Sequence, residues 1–400
     1  MNRCLGVALF VVLGALALVG CSDQPETVLE GEKLFELGIG RLENEIDLFR
    51  RGPVTPQYVN MVTVRDGLVY IANGGANKIL EFTSFGDLVR LIYDAQRNPE
   101  PVSVRIDGDD DDVATLSAYQ YGFSQLGHIA VDSNRRVYAE DRLPTERSIF
   151  DETLGVYLNR VVLRFDPSGE PIDYLGQEGI GGTPFPYIDT ISTNVRDELI
   201  LVTKTPALRS VYLFSPGGDL MYVVRIGMDR LPVPSLEEDY IAVLEEVQPA
   251  VTEYRVYLKV AYYRAAVDPD TAKEYGIEFD HARVYWIDLE EGRYDGYFEL
   301  PRSGVGDDEE RHFSLIGTNQ DEYLYLVARE DANRTSLLIM EPDGSVLRRR
   351  NLIIPEADIV HRNLSVSFEG VVTGLLAYPD RVDLYWWRTD RLLPTIGRGT

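Results

Sequence analysis

One pattern recurs along this 400-residue chain and limits what it can become: a short apolar run, a turn rich in Asp, Pro and Gly, then a second apolar run. Residues 79–82 and 88–92 flank Ser84-Phe85-Gly86-Asp87, and 161–165 and 172–175 flank Asp166-Pro167-Ser168-Gly169-Glu170. The pattern returns at 211–224 around Ser215-Pro216-Gly217-Gly218-Asp219, at 284–300 around Glu291-Gly292, and at 337–348 around Glu341-Pro342-Asp343-Gly344-Ser345. Such turns supply the fixed or positive φ that a tight hairpin needs. Ahead of each hairpin stand two further β-type runs, the nearer at 68–71, 136–139, 199–202, 256–259 and 323–326. The farther ones are 58–64, 127–131, 188–193, 241–247 and 313–317. Four strands per unit, at a period near ~50 residues, predict an all-β chain folded as a β-propeller. Residues 364–368, 371–378 and 382–387 give a sixth unit lacking its fourth strand.

The expectation is therefore six four-stranded blades over residues 58–390. A seventh would have to hide in a long insert, and a two-sheet sandwich is the rival arrangement. Propellers close by letting one terminus supply a missing strand, which removes an exposed edge; residues 45–49 are the candidate donor. Upstream, Leu34, Phe35, Leu42, Ile46 and Phe49 fall partly at helical spacing, interrupted by Gly38 and Gly40. Residues 21–57 thus read as a tether with a short helical or extended segment, and 391–400 as a C-terminal tail.

Apolar residues make up 44% of the chain, with 24 tyrosines, ample material for a core. The net charge of −26 repels nucleic-acid phosphate and anionic headgroups, so neither is an expected partner. Cys4 and Cys21 are the two cysteines.

Both lie at the N-terminus, where Arg3 precedes an uncharged apolar stretch from Leu5 to Val19 that ends in Leu18-Val19-Gly20-Cys21 and turns polar at once. This resembles the signal peptide of bacterial lipoproteins, with Leu18, Val19 and Gly20 as the lipobox. The resemblance implies removal of residues 1–20, acylation of Cys21 with palmitate-type chains, and a lipid-anchored place in the bacterial cell envelope. It leaves inner or outer membrane, and the direction faced, undetermined. Competing readings are secretion after Ala15-Leu16-Ala17, or an uncleaved anchor, for which the stretch is short.

The hairpin unit also resembles the NHL repeat of propeller modules. Leu37-Gly38-Ile39-Gly40-Arg41-Leu42-Glu43 with Ile46-Asp47-Leu48-Phe49, and Ala72-Asn73-Gly74-Gly75-Ala76-Asn77-Lys78 with Glu81-Phe82-Thr83-Ser84, look like uncharacterised spirochaete-type propeller lipoproteins. No activity comes with that likeness.

Chemistry is sparse. His128, His281, His312 and His361 lie far apart, without ligand spacing. Asp107, Asp109 and Asp111 begin an anionic run that could hold a cation, but position 6 is Asp112 and position 12 Ala118, unlike a calcium loop. No nucleophile elbow, phosphate-cradling loop or metalloprotease motif occurs. The expectation is no catalytic residue, no metal and no cofactor. More informative are the long connections 96–125, 140–157, 227–240 and 264–283, which would gather on one face of a propeller. Tyr119, Tyr121, Phe123, Tyr187, Tyr262 and Tyr263 lie in or beside them as candidate interface residues; the alternative is that they pack their own loops. The expected function is a non-enzymatic protein-interaction or ligand-binding module whose partner is another envelope protein. The alternatives are capture of a glycan or small molecule, or a hydrolase or lyase at the channel mouth.

Overall fold

The structure is a computed structural model that describes residues 27–48, 58–102, 116–235, 239–268, 270–301, 312–329, 334–354 and 358–394. Among the described residues, its strands form six large sheets in sequence order and one small two-stranded sheet. Blade 1 comprises Asn60–Arg65, Leu68–Asn73, Lys78–Phe82 and Leu88–Tyr93; blade 2 comprises Leu126–Val131, Val137–Arg142, Arg160–Phe165 and Pro171–Gly176. Blade 3 is Tyr187–Thr193, Leu199–Lys204, Leu208–Phe214 and Leu220–Gly227; blade 4 is Ile241–Pro249, Arg255–Val267, Glu274–Asp288 and Tyr294–Glu299. Blade 5 is Ser314–Thr318, Leu324–Arg329, Arg334–Met340 and Val346–Ile353. In blade 6, His361–Val366, Val372–Ala377 and Arg381–Trp387 are completed by Glu32–Ile39 from the other end of the chain.

The first strands of consecutive blades touch around a full circle, with that of blade 6 against that of blade 1. Among the described residues, six apolar clusters fill the six seams between neighbouring blades. Alternation along a strand explains this. In blade 1, Val69 and Ile71 face blade 6, whereas Tyr70 and Ala72 face blade 2. A sheet buried on both faces needs apolar residues at every position, hence continuous runs where a sandwich would show polar alternation. The fold is a six-bladed β-propeller.

Three expectations change. Four of the six sheets carry a fifth strand: Ser117–Gln120 on blade 1, Gly179–Ile180 on blade 2, Thr27–Leu29 on blade 5 and Glu45–Ile46 on blade 6. Each adds to an outer edge, where unpaired N–H and C=O groups invite pairing. Second, residues 32–39 are a strand and the closing donor, while Glu45–Ile46 adds outside them. Leu34, Phe35 and Leu37 pack on the same seam because a bulge between Lys33 and Phe35 breaks the period of two, so the segment imitates a helix in sequence. Third, 264–267 and 274–283 are strand and not loop. They form the ends of two long strands, whose tip runs four residues past Tyr263, the partner of Ile241 at the start of blade 4, projecting about 13 Å.

The hairpin turns also join blades. Gly86, Gly169, Gly218 and Gly344 hold the same left-handed position, φ 91°, 95°, 98° and 90°, with their backbones pressed on Phe35, Tyr119, Arg164 and Phe298 of the preceding blade. Glycine serves there for both conformation and close approach.

Candidate functional site

Strands alternate in direction within a blade, so the connection from second to third strand and the crossover to the next blade leave from one end of the ring. All four long connections depart from that end. It is divided unevenly. Over blade 1, residues 40–48 form a strap. Asn73 Nδ2 donates to the Asp47 carbonyl at 2.9 Å, while the Asp47 N–H donates to Asn73 Oδ1 at 2.9 Å. Lys78 Nζ donates to the Leu42 carbonyl at 2.6 Å, and Asn77 holds the Phe123 carbonyl and the Leu126 N–H. The two short stretches singled out in the sequence thus meet each other here in a structural joint.

Blades 2, 3 and 4 carry exposed apolar side chains at this end. Between the second and third strands of blade 2, Ile149–Asp151 and Val156–Leu158 form a small hairpin. On it Phe150 and Tyr157 sit edge to face, 5.1 Å apart, with Tyr157 60% exposed. The projecting hairpin of blade 4 carries Tyr275, 72% exposed, and Ile277. Tyr187, Ile241, Val243 and Val233 are exposed on the intervening strands and crossover.

Two concavities open among these elements. The central channel, about 290 Å³, is lined by the first strands of all six blades. Arg65 crosses its far end, stacked 3.6 Å above the Phe368 ring and bonded to Asp197 at 3.4 Å, joining blades 1, 6 and 3. Nearer the open end, His128 Nδ1 lies 2.7 Å from Glu140 Oε2, and Arg160 Nη1 lies 3.3 Å from Glu140 Oε1. Burial alone would raise the Glu140 carboxyl, but the His128 hydrogen bond and the two neighbouring charges outweigh it and hold it low. Its charge is thereby committed to fixing His128 and Arg160. The second concavity, about 580 Å³, lies between blades 3 and 4, lined by Tyr187, Lys204, Arg209, Met228, Leu231 and Leu244 among others.

Of the aromatic residues singled out in the sequence, Tyr187 reaches the open surface and lines this groove. Tyr263 is half-buried, its hydroxyl donating to Glu245 and its ring edge-on to Phe279. Phe123 is buried in the seam of blades 1 and 2 with Tyr121 and Phe165, while Tyr119 packs on the Gly169 turn. Tyr262 is fully buried, donating to the Pro232 carbonyl and meeting the Tyr285 hydroxyl. Phe123 and Tyr262 therefore build seams and cannot present a surface: Phe123 packs inward on Phe165 from the segment entering blade 2, and Tyr262 lies on a covered face of a long strand. Cys21, Leu18, Val19, Gly20, Asp107, Asp109 and Asp111 lie outside the described residues. Among the described residues, no three His, Cys, Asp or Glu side chains gather closely enough to hold a metal ion. Lys204 and Arg209 escaped sequence reasoning: isolated cations in strands carry no motif, and only cross-strand register places them together.

No family profile matches this sequence, and no curated protein matches it. Among solved structures, it is similar to the β-propeller domain of the Trilobed protease from Pyrococcus furiosus, described as having an open velcro topology. Identity is 9%, coverage 82% of this chain and 95% of that one, and the TM-score 0.38.

Proposed function

We propose that this chain is a non-enzymatic recognition module of a bacterial cell envelope, held to a membrane by an acylated Cys21 and offering the loop-rich end of its ring to another envelope protein. One observation carries the reading. Exposed aromatic and aliphatic side chains, Phe150, Tyr157, Tyr187, Tyr275 and Ile277, cluster on elements leaving a single end of blades 2, 3 and 4. Large exposed apolar side chains gathered on a rigid scaffold are a feature of interaction surfaces, and tyrosine contributes contact area at low entropy cost. The strap covers blade 1 at this end, and the exposed aromatic side chains stand beyond it on blades 2 to 4. The lipobox and the likeness to propeller lipoproteins support the anchor and the compartment.

The test is affinity capture from crosslinked envelopes, comparing the natural chain with Phe150→Ser/Tyr157→Ser and Tyr275→Ser/Ile277→Ser. These side chains are exposed, so stability should change by less than about 0.5 kcal/mol. The reading predicts loss of at least one captured protein; an unchanged captured set from both variants refutes it. A second reading, capture of a small molecule at the same end, is favoured by the 580 Å³ groove.

A further inference from the structure

The groove between blades 3 and 4 has a chemistry at odds with the rest of the molecule. Lys204 closes the second strand of blade 3 and Arg209 faces it across the hairpin as its direct register partner. Tyr187 pairs with Lys204 on the other side. Two cations are therefore held opposite one another, which opposes pairing unless an anion lies between them. Yet the chain carries 65 acidic residues, and among the described residues neither cation forms a close ion pair with a carboxylate. Arg209 is 7% exposed, and one guanidinium nitrogen donates to the Thr205 carbonyl at 3.2 Å. The planar fork carries five N–H donors, so most remain uncommitted. Burial pulls its pKa down, with Asp189 opposing. Beyond the cations the wall is apolar, formed by Met228 and Leu231 of the crossover and Ala242, Val243 and Leu244 of blade 4.

We propose that this groove binds a free medium-chain carboxylate. The carboxylate sits between Lys204 and Arg209 beside Tyr187, and the acyl chain lies along Met228, Leu231 and Leu244. A concavity of this size, mostly apolar with a few polar groups at one end, matches a small-ligand site. Arg presents the bidentate geometry a carboxylate prefers, and Lys adds a movable point charge. The proposal rests on reading the loop-rich end as a binding surface and names a ligand class for it.

The experiment titrates the full chain with hexanoate, octanoate and decanoate by calorimetry below their micelle concentrations. Affinity should rise roughly fourfold per added methylene. Decanol should bind at least tenfold more weakly than decanoate, and anionic phospholipid vesicles should leave the chain unbound through this groove. Lys204 is exposed, so Lys204→Glu folds normally and should weaken decanoate at least tenfold, whereas Lys204→Arg retains binding. Decanol binding as tightly as decanoate, no dependence on chain length, or full affinity in Lys204→Glu would each overturn the assignment, as would vesicle binding that Lys204→Glu abolishes. Protein capture by Phe150 and Tyr157 is scored separately in the same variants. Intact capture without decanoate binding overturns only the groove, and decanoate binding without capture overturns only the protein-interaction reading.

Discussion

Replacing Lys78 by methionine should change how stability depends on pH. Lys78 is fully buried beneath the strap, with Leu42 as its hydrogen-bond acceptor at 2.6 Å. Desolvation lowers its pKa from 10.5 to about 8, against the pull of the nearby Glu45 and Asp47 carboxylates. Between those two values the unfolded chain binds a proton that the folded chain has released. Stability therefore rises with pH across that window and is flat below about 8, where both states are protonated. The gap of about 2.5 units corresponds to roughly 3 kcal/mol. Lys78→Met retains the stem length and removes the titration. Urea unfolding of both proteins at pH 7, 8, 9 and 10 measures the difference, in which tyrosines common to the two cancel. The wild type should gain about 2–3 kcal/mol on the variant between pH 7 and 10. Parallel pH profiles would refute the reasoning and show that Lys78 reaches water.

Other consequences are direct. Gly218→Ala places a Cβ at φ 98° and 2.9 Å from an Arg164 guanidinium nitrogen, and should cost about 1–3 kcal/mol in denaturant unfolding. Glu81 is buried beside Arg90 at 2.6 Å and Arg135 at 3.0 Å; Glu81→Gln leaves buried Arg90 uncompensated and should cost about 3–5 kcal/mol. Metabolic labelling with a fatty-acid analogue should mark the chain and vanish in Cys21→Ala; label that persists contradicts the anchor.

Much of the architecture is legible in the order of the residues. The hairpin turns at 84–87, 166–170, 215–219 and 341–345 fall where expected, because Gly and Asp at a tight turn answer to local backbone geometry. The Asp166 carboxylate accepts the Ser168 and Glu170 N–H groups, which suffices to specify that turn. Residues 32–39 are illegible for the opposite reason. Their conformation is set by Arg381–Trp387, some 350 residues away, and no local periodicity encodes a partner so distant. The same holds for the groove. Lys204 and Arg209 meet by cross-strand register, and Leu244 arrives from the next blade. Tyr262 and Phe123 show the complementary limit: aromatic composition marks a segment as adhesive without saying whether it adheres to the chain itself or to something else.

Ring closure by the chain's own first long strand underlies the seams, the strap and the common end from which the inserts leave. Glu32 and Trp386 are register partners, their side chains joined by a 2.8 Å hydrogen bond. A Glu32→Cys/Trp386→Cys chain, with Cys4 and Cys21 replaced by serine, should form an intramolecular disulfide under mild oxidation, since facing positions meet the required geometry. Shifting the second cysteine to Tyr385 points it to the other face of the sheet, and that pair should stay reduced. Equal yields from both pairs, or a reduced Glu32/Trp386 pair in the folded chain, would contradict the closed ring.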